Sequence, residues 1–423
     1  MNIKDIIIKK KDKKELTHEE IKYVIDNYMN DNIKDYQMSS LLMAILLNGM
    51  SFDETFYLTN EMLNSGDRID LSKIDGIKLD KHSTGGVGDK TSFVVLPLVA
   101  ASGIKIAKMS GRGLGYTGGT IDKLESIEGF NINLSEEDFI KQVNDINLAL
   151  VSQSGNLVPA DKKIYALRDV TGTTDSIPLI ASSIMSKKLA SGADKILLDV
   201  KVGKGAFMKN IDDARKLAKT MVEIGKRFNK EVVALITNMD YPLGNTIGNA
   251  LEVEEAIEIL NGKGNKNFTD LCLIISSYMV SMGKNISIIE AFNIVKEKFD
   301  NKEGLNKLYE FISYQGGDLN KLKINDSYIS IYSDKEGYIT DIDTLYLAML
   351  CTNLGAGRNK KDDILDLSAG IRLVKNINDK VNKNDEIMRV YSKKEIDKEE
   401  FLKTIKITSE KQKNIKIVYE VIK

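Results

Sequence analysis

Asp80-Lys-His-Ser-Thr-Gly-Gly-Val-Gly-Asp89 and Ser110-Gly-Arg-Gly-Leu-Gly-Tyr-Thr-Gly-Gly-Thr120 are the two stretches on which the fold of this chain turns. Each follows a short apolar run, around Ile77 and Leu79 for the first and Ile104 and Ile106 for the second, and each opens a helical pattern. Glycine lets backbone amides close on a ligand, and helix N-termini favour anions. Two such turns in adjacent strand-helix units meet at the carboxyl ends of neighbouring strands, where they enclose one phosphate.

Two commoner glycine-rich loops are excluded letter by letter. Gly113-Leu-Gly115-Tyr-Thr-Gly118 satisfies the dinucleotide spacing, but the acid expected about 20 residues on falls in Ser135-Glu136-Glu137-Asp138, which reads as a helix start. Gly88-Asp89-Lys90-Thr91 has Asp89 where a nucleoside-triphosphate loop needs glycine directly before lysine.

Working outward, residues 1–65 read as helices only. Thr17-His-Glu-Glu20 and Ser51-Phe-Asp-Glu54 are capping boxes ahead of apolar residues at helical spacing, Ile21, Val24, Ile25 and Tyr28 in the first case. From Ile77 to about Leu260 strands and helices alternate. Leu148 to Val151, Ile196 to Val202 and Val232 to Ile236 are apolar enough for strands buried on both faces, and Ile211 to Phe228 is a crossover helix. Residues 161–192 interrupt with two consecutive helices, Asp161 to Val170 and Ser176 to Ser191, that leave the sheet domain. Helices continue to roughly Gly317. Beyond Ser327, short β-like runs at 328–332, 337–342, 381–391 and 415–421 predict a smaller α+β domain. The expected fold class is α/β: a helical lobe, a mostly parallel (mixed) sheet domain covered by helices at 70–160 and 193–326, and a C-terminal α+β domain at 327–423.

Length and composition set the frame for a ligand. The 423 residues exceed one hydrophobic core, so two or three domains are expected. A net charge of −1 offers no reason to expect nucleic acid or an anionic membrane, and any positive field must be local. Cys272 and Cys351 lie far apart without metal spacing, which predicts buried free thiols in a reducing compartment. No apolar run reaches membrane-spanning length, and Ile6-Ile7-Ile8 ahead of lysines reverses the order of a secretory signal; a cytoplasmic chain is expected.

Four blocks, in order, carry a resemblance over nearly the whole chain: 81–89; 110–114 with 117–125; Tyr165-Ala-Leu-Arg-Asp169; and Ser183-Ile-Met-Ser-Lys-Lys188. They resemble the pyrimidine-nucleoside phosphorylase family, with its close relative thymidine phosphorylase. The resemblance implies that orthophosphate attacks C1′ of a pyrimidine nucleoside, such as uridine, thymidine or deoxyuridine, in nucleoside salvage. Free base and a pentose 1-phosphate leave. It also implies a homodimer, no required cofactor, and a 161–192 segment that joins the 1–65 lobe.

Residue roles follow from the resemblance. Lys81, His82, Ser83, Ser92, Lys108, Met109 (by its backbone), Ser110 and Thr120 match positions around phosphate, while Asp122 and Glu125 orient the loops. Tyr165, Arg168, Ser183 and Lys187 match positions around the base, and Ser183 and Lys187 share a helix face. His82, with Arg168 and Lys187, is placed among the catalytic groups, hydrogen bonding or protonating the base at O2. The plainer alternatives are an Arg168 ion pair with Asp169 or another acid on the helical lobe, and a Ser183 hydroxyl bonded to its own backbone.

Two departures stand out. Tyr116 replaces a histidine usual in the family. Some members bind potassium through Gly88, a hydroxyl two positions on, Leu243, the residue at 246 and the acid at 255. This chain keeps Gly88, Leu243, Thr246 and Glu255 but has Lys90 at the hydroxyl position, so either a potassium ion binds or the Lys90 ammonium pairs with Glu255 in its place. Lys108, where strict thymidine phosphorylases tend to carry an apolar residue, implies acceptance of ribose as well as deoxyribose. The competing expectations are a strict thymidine phosphorylase, an anthranilate-type phosphoribosyltransferase with magnesium held by an acidic pair, and a carrier-like module. The last is suggested by 374–387, although the modifiable lysine between two methionines is missing.

Overall fold

The computed structural model describes residues 1–113, 118–153, 156–358, 360, 363–413 and 415–423. Four helices open the chain: α1 (Ile3–Lys11), α2 (His18–Met29), α3 (Asp35–Asn48) and α4 (Phe52–Leu63). Both capping boxes form, at Thr17 with Glu20 and at Ser51 with Glu54. Glu54 does double duty, since its carboxylate also accepts a buried bond from Lys10 at 2.8 Å. His18 of the first capping box bonds Glu61 at 2.7 Å and stacks on Tyr57 within this lobe.

The α/β body follows as β1 (Lys78–Ser83), α5 (Thr91–Ala101), β2 (Lys105–Ser110), α6 (Thr120–Leu124), α7 (Glu136–Ile146), β3 (Leu148–Ser152), α8 (Pro159–Thr171), α9 (Ile177–Ala190), β4 (Lys195–Val202), α10 (Ile211–Arg227) and β5 (Glu231–Asn238). Next come β6 (Thr246–Ile247), α11 (Asn249–Leu260), α12 (Lys266–Lys284), α13 (Ile288–Asp300) and α14 (Glu303–Tyr314). The C-terminal part comprises β7 (Ile329–Tyr332), β8 (Gly337–Ile342), α15 (Thr344–Cys351), β9 (Gly370–Leu373), β10 (Lys380–Val381), β11 (Glu386–Tyr391), α16 (Lys398–Lys403), β12 (Ile405–Thr408) and β13 (Val418–Ile422).

The main sheet runs β13-β5-β4-β1-β2-β3, parallel except for β13. Its order reverses between β1 and β4, and a crevice at the carboxyl ends of such strands is where α/β sheets take ligands. Both faces are apolar, as the continuous apolar runs predict. Leu197 of β4 joins the core under α5, α11 and α12, while Ile196, Leu198 and Val200 join the core shared with α10 and the helical lobe. Between β3 and β4 the chain leaves the sheet through α8 and α9. These pack on α3 and α4, and Ser182 donates to the Thr55 carbonyl at 3.1 Å.

The structure departs from the sequence reading at several strand ends. β1 continues through Lys81, His82 and Ser83, which read as turn because they are polar; Lys81 is buried with its ammonium held by Thr91, and His82 and Ser83 are half-buried. The run at 381–391 divides into β10 and β11 in different sheets. The last strand, assigned with the C-terminal domain, instead pairs antiparallel with β5 and covers an edge of the main sheet. In exchange, β6 pairs with β9 in the C-terminal sheet. The two bodies thus trade strands. Cys272 and Cys351 are free and buried. No single helix among the described residues is long and apolar enough to cross a membrane.

Candidate active site

Alternation along β1 sends its motif residues to two sides. Lys81 and Ser83 face α5, where the Lys81 ammonium donates to the Thr91 hydroxyl and the Ser83 hydroxyl to Asp89. Asp80 and His82 face the helical lobe. Burial raises the Asp89 carboxyl, but Lys81, Lys201 and Lys123 outweigh it and hold the group well below the usual range. That carboxylate also accepts from the Thr91 amide at 3.1 Å, which fixes the start of α5.

The second turn is tied at both ends. Asp122 accepts from the Gly113 amide at 2.7 Å and the Gly119 amide at 3.3 Å, and Arg112 forms a two-pronged pair with Glu125. Both acids therefore orient the loop, as the sequence implies. Arg358, which sequence reasoning missed, reaches Asp122 from the C-terminal part at 2.9 Å. Tyr116 lies outside the described residues.

Lys123 joins the two turns. Its ammonium, 1% exposed, donates to the carbonyl of Asp89 at 2.6 Å and of Gly118 at 3.3 Å, and pairs with Glu252 at 2.7 Å. Ser83, Ser92, Ser110 and Thr120 thus stand at strand and helix ends along one edge of the sheet. Among the described residues, the hydroxyls of Ser92, Ser110 and Thr120 make no hydrogen bond within the protein. The neighbouring Met109 carbonyl is taken by Lys188 at 3.3 Å. Half-buried, unengaged hydroxyls beside helix N-termini and buried lysines are what an oxyanion site requires.

Across the cleft, α8 and α9 carry the cations. Lys187 donates to Asp161 at 2.7 Å and to the Ser183 hydroxyl at 2.9 Å, so that hydroxyl is not turned onto its own backbone. The Tyr165 ring lies 5.5 Å from the Arg168 guanidinium and 5.8 Å from the Lys187 ammonium. Arg168 does not pair with Asp169. It donates to the carbonyls of Thr173, Thr174 and Leu179, clasping the turn between α8 and α9 with three of its five N–H groups.

Asp80 connects the two sides. One carboxylate oxygen accepts from Lys108 of β2 at 3.2 Å and from the Lys81 amide at 2.7 Å, and the other accepts from Lys188 of α9 at 2.6 Å. Both Asp80 and Lys188 stood inside the quoted blocks without a role. Burial, opposed by Asp80 and reinforced by Lys188 and Lys81, brings the Lys108 ammonium down to about 7. His82, whose side chain makes no hydrogen bond among the described residues, is held well below its ordinary value by burial and then by Lys188, Lys108, Lys187 and Lys81. Its resting form is the neutral imidazole, a hydrogen-bond donor and not a cationic acid.

Comparison with known proteins agrees with this architecture. Residues 4–66 match the helical bundle domain of a glycosyl transferase family, residues 75–305 its a/b domain, and residues 338–411 the pyrimidine nucleoside phosphorylase C-terminal domain. A pyrimidine-nucleoside phosphorylase from Staphylococcus epidermidis is 52% identical over 405 residues, covering 94% of each chain. One from Geobacillus stearothermophilus is 50% identical over 402 residues, covering 93% of each. Among solved structures, anthranilate phosphoribosyltransferase from Thermus thermophilus shares the fold, with a TM-score of 0.57 at 16% identity over 73% of this chain and 98% of that one. Half-identical relatives along almost the full length, and a matching C-terminal domain, show that this chain belongs to the pyrimidine-nucleoside phosphorylase family.

Proposed function

We propose that this chain catalyses reversible phosphorolysis of pyrimidine nucleosides, with one observation carrying the reading. Among the described residues, two glycine turns joined by Lys123 leave the hydroxyls of Ser92, Ser110 and Thr120 unengaged opposite a cationic helix pair. Orthophosphate is held by Lys81, Ser83, Ser92, Lys108, Ser110, Thr120 and the Met109 backbone. One phosphate oxygen forms the bond to C1′ as the bond from C1′ to the base nitrogen breaks, and the electron pair leaves with the base. The developing anion is stabilised by Lys187, Ser183, the two remaining N–H groups of Arg168 and a hydrogen bond from neutral His82 to O2. Tyr165 packs beside the pyrimidine. Bound phosphate and the departing base both add negative charge near His82, which raises its affinity for a proton as the reaction proceeds.

Substrate range is argued from Lys108. Its buried ammonium beside Asp80 is a polar contact able to donate to a ribose hydroxyl, which favours uridine, thymidine and deoxyuridine together over thymidine alone. The setting that fits this chemistry is nucleoside salvage in the cytoplasm. A homodimer through the helical lobe is supported by Tyr36, Met43 and Leu47, exposed along one face of α3, with exposed Val170 on the adjoining α8.

Purified protein with uridine or thymidine is expected to release free base only when phosphate is present, with kcat/KM for the two substrates of similar order. Release without phosphate, or uridine turnover at background, contradicts the reading. Because the His82 ring makes no hydrogen bond among the described residues, His82→Ala should lower kcat about a hundredfold, the worth of one transition-state donor, with little change in melting temperature. An unchanged kcat removes His82 from the mechanism.

The Lys108 ammonium gives a pH signature. A doubly charged oxyanion binds the protonated form better, so its affinity is highest below about 7 and weakens as pH rises through that value, by up to about tenfold per unit. Sulfate, which does not titrate in this range, isolates the effect. Competition by sulfate should weaken along that limb in the native protein and stay flat in Lys108→Met; a flat native profile excludes the role. Light scattering should give twice the chain mass, and Leu47→Glu should shift it towards the monomer. A native monomer refutes the dimer.

A further inference from the structure

The potassium site implied by the family resemblance does not fit this chain. The Lys90 ammonium, with no solvent exposure, lies 2.5 Å from the carbonyl of Leu243, 3.0 Å from that of Thr246 and 2.8 Å from Glu255. An ammonium has three N–H donors, and all three are used. The Phe268 ring lies 5.1 Å away. Gly88 passes so close on the same side that a Cβ there would stand 2.9 Å from the Leu243 oxygen and 3.0 Å from the Thr246 oxygen. A metal ion reaching these oxygens would have to expel the ammonium. One buried carboxylate balances one cation; a second cation would leave an uncompensated buried charge.

We propose that Lys90 is a tethered replacement for a monovalent metal ion, so that this chain keeps its phosphate-binding turn in place without potassium. The lysine is the N-cap residue of α5, between Asp89 and the Thr91-Ser92 pair of the phosphate turn. Its partners lead away from the cleft. Glu255 of α11 also accepts from the amides of Asn245 at 2.6 Å and Thr246 at 2.8 Å, which closes the 243–246 loop around the ammonium. Thr246 begins β6, which pairs with β9, and the Leu373 amide bonds the Asn245 carbonyl at 2.7 Å. The ammonium therefore clips the first phosphate turn to the strand-exchanged C-terminal sheet. Lys90 is a positioning residue, and its charge cannot diffuse away when the salt changes.

The proposal rests on the phosphorolysis reading for its kinetic readout but not for its thermal one. Native protein in potassium chloride and in tetramethylammonium chloride of equal ionic strength, the latter cation being too large for the cage, should show the same melting temperature and the same KM for phosphate. Lys90→Ser, which vacates the cage and supplies a hydroxyl, should melt lower in tetramethylammonium and recover as potassium is added. Its KM for phosphate should be about tenfold higher without potassium, with a smaller change in kcat. Lys90→Met, which fills the stem space but binds no ion, should show no recovery. Native protein stabilised or activated by potassium would overturn the proposal, as would a Lys90→Ser variant indifferent to potassium, folded or not. Inactivity of every form with intact potassium-dependent melting of Lys90→Ser would instead strike at the phosphorolysis reading and leave this inference standing.

Discussion

The cleft depends on one buried carboxylate. Asp80 at the end of a parallel strand holds Lys108 from the neighbouring strand and Lys188 from a helix packed with the other lobe. Burial raises its pKa, yet the two lysines outweigh that and keep it low, so it is ionised. Removing it would strand two buried cations, a loss on the order of 3–5 kcal/mol. The same contact ties α9 to the sheet, one residue from Lys187, and stations Lys108 at the carboxyl end of β1. Structure and chemistry meet at this residue.

Around it, the protein spends an unusual number of buried lysines. Lys81, Lys123 and Lys201 crowd Asp89, and Lys201 pairs with Asp199 at 2.6 Å. Overall charge is close to neutral, so the positive field is made locally by burying cations next to only as many acids as keep them folded. Donors fixed in advance cost no reorganisation when a negative charge develops. Lys90 extends the pattern to the far side of the same turn, where its ammonium pairs with Glu255.

Much of this was legible in the order of residues. The two glycine turns, the apolar strands between them and the capping boxes predicted the lobes and the mostly parallel sheet, because each is a local pattern with one physical reading. Ser135 as a helix cap, used to exclude a dinucleotide site, does cap α7. What escaped was non-local. Lys81 and His82 look like loop residues until Thr91 and the surrounding lysines are in place. The final strand carries no sign of which sheet it will join, and Arg358 has no motif to mark its reach to Asp122. Arg168 matches a position around the base by resemblance, yet most of its donors hold the turn between two helices, a use that spacing alone does not reveal.

The central claim is that the two turns form a single anion site facing the α8–α9 cations. A crystal structure with bound tungstate, an oxyanion visible by its anomalous signal, tests it most directly. The account predicts one strong peak within hydrogen-bond distance of Ser83, Ser92, Ser110 and Thr120, on the side of the cleft opposite Lys187. A fully occupied anion elsewhere, with the hydroxyls of Ser92, Ser110 and Thr120 still unengaged, would contradict it.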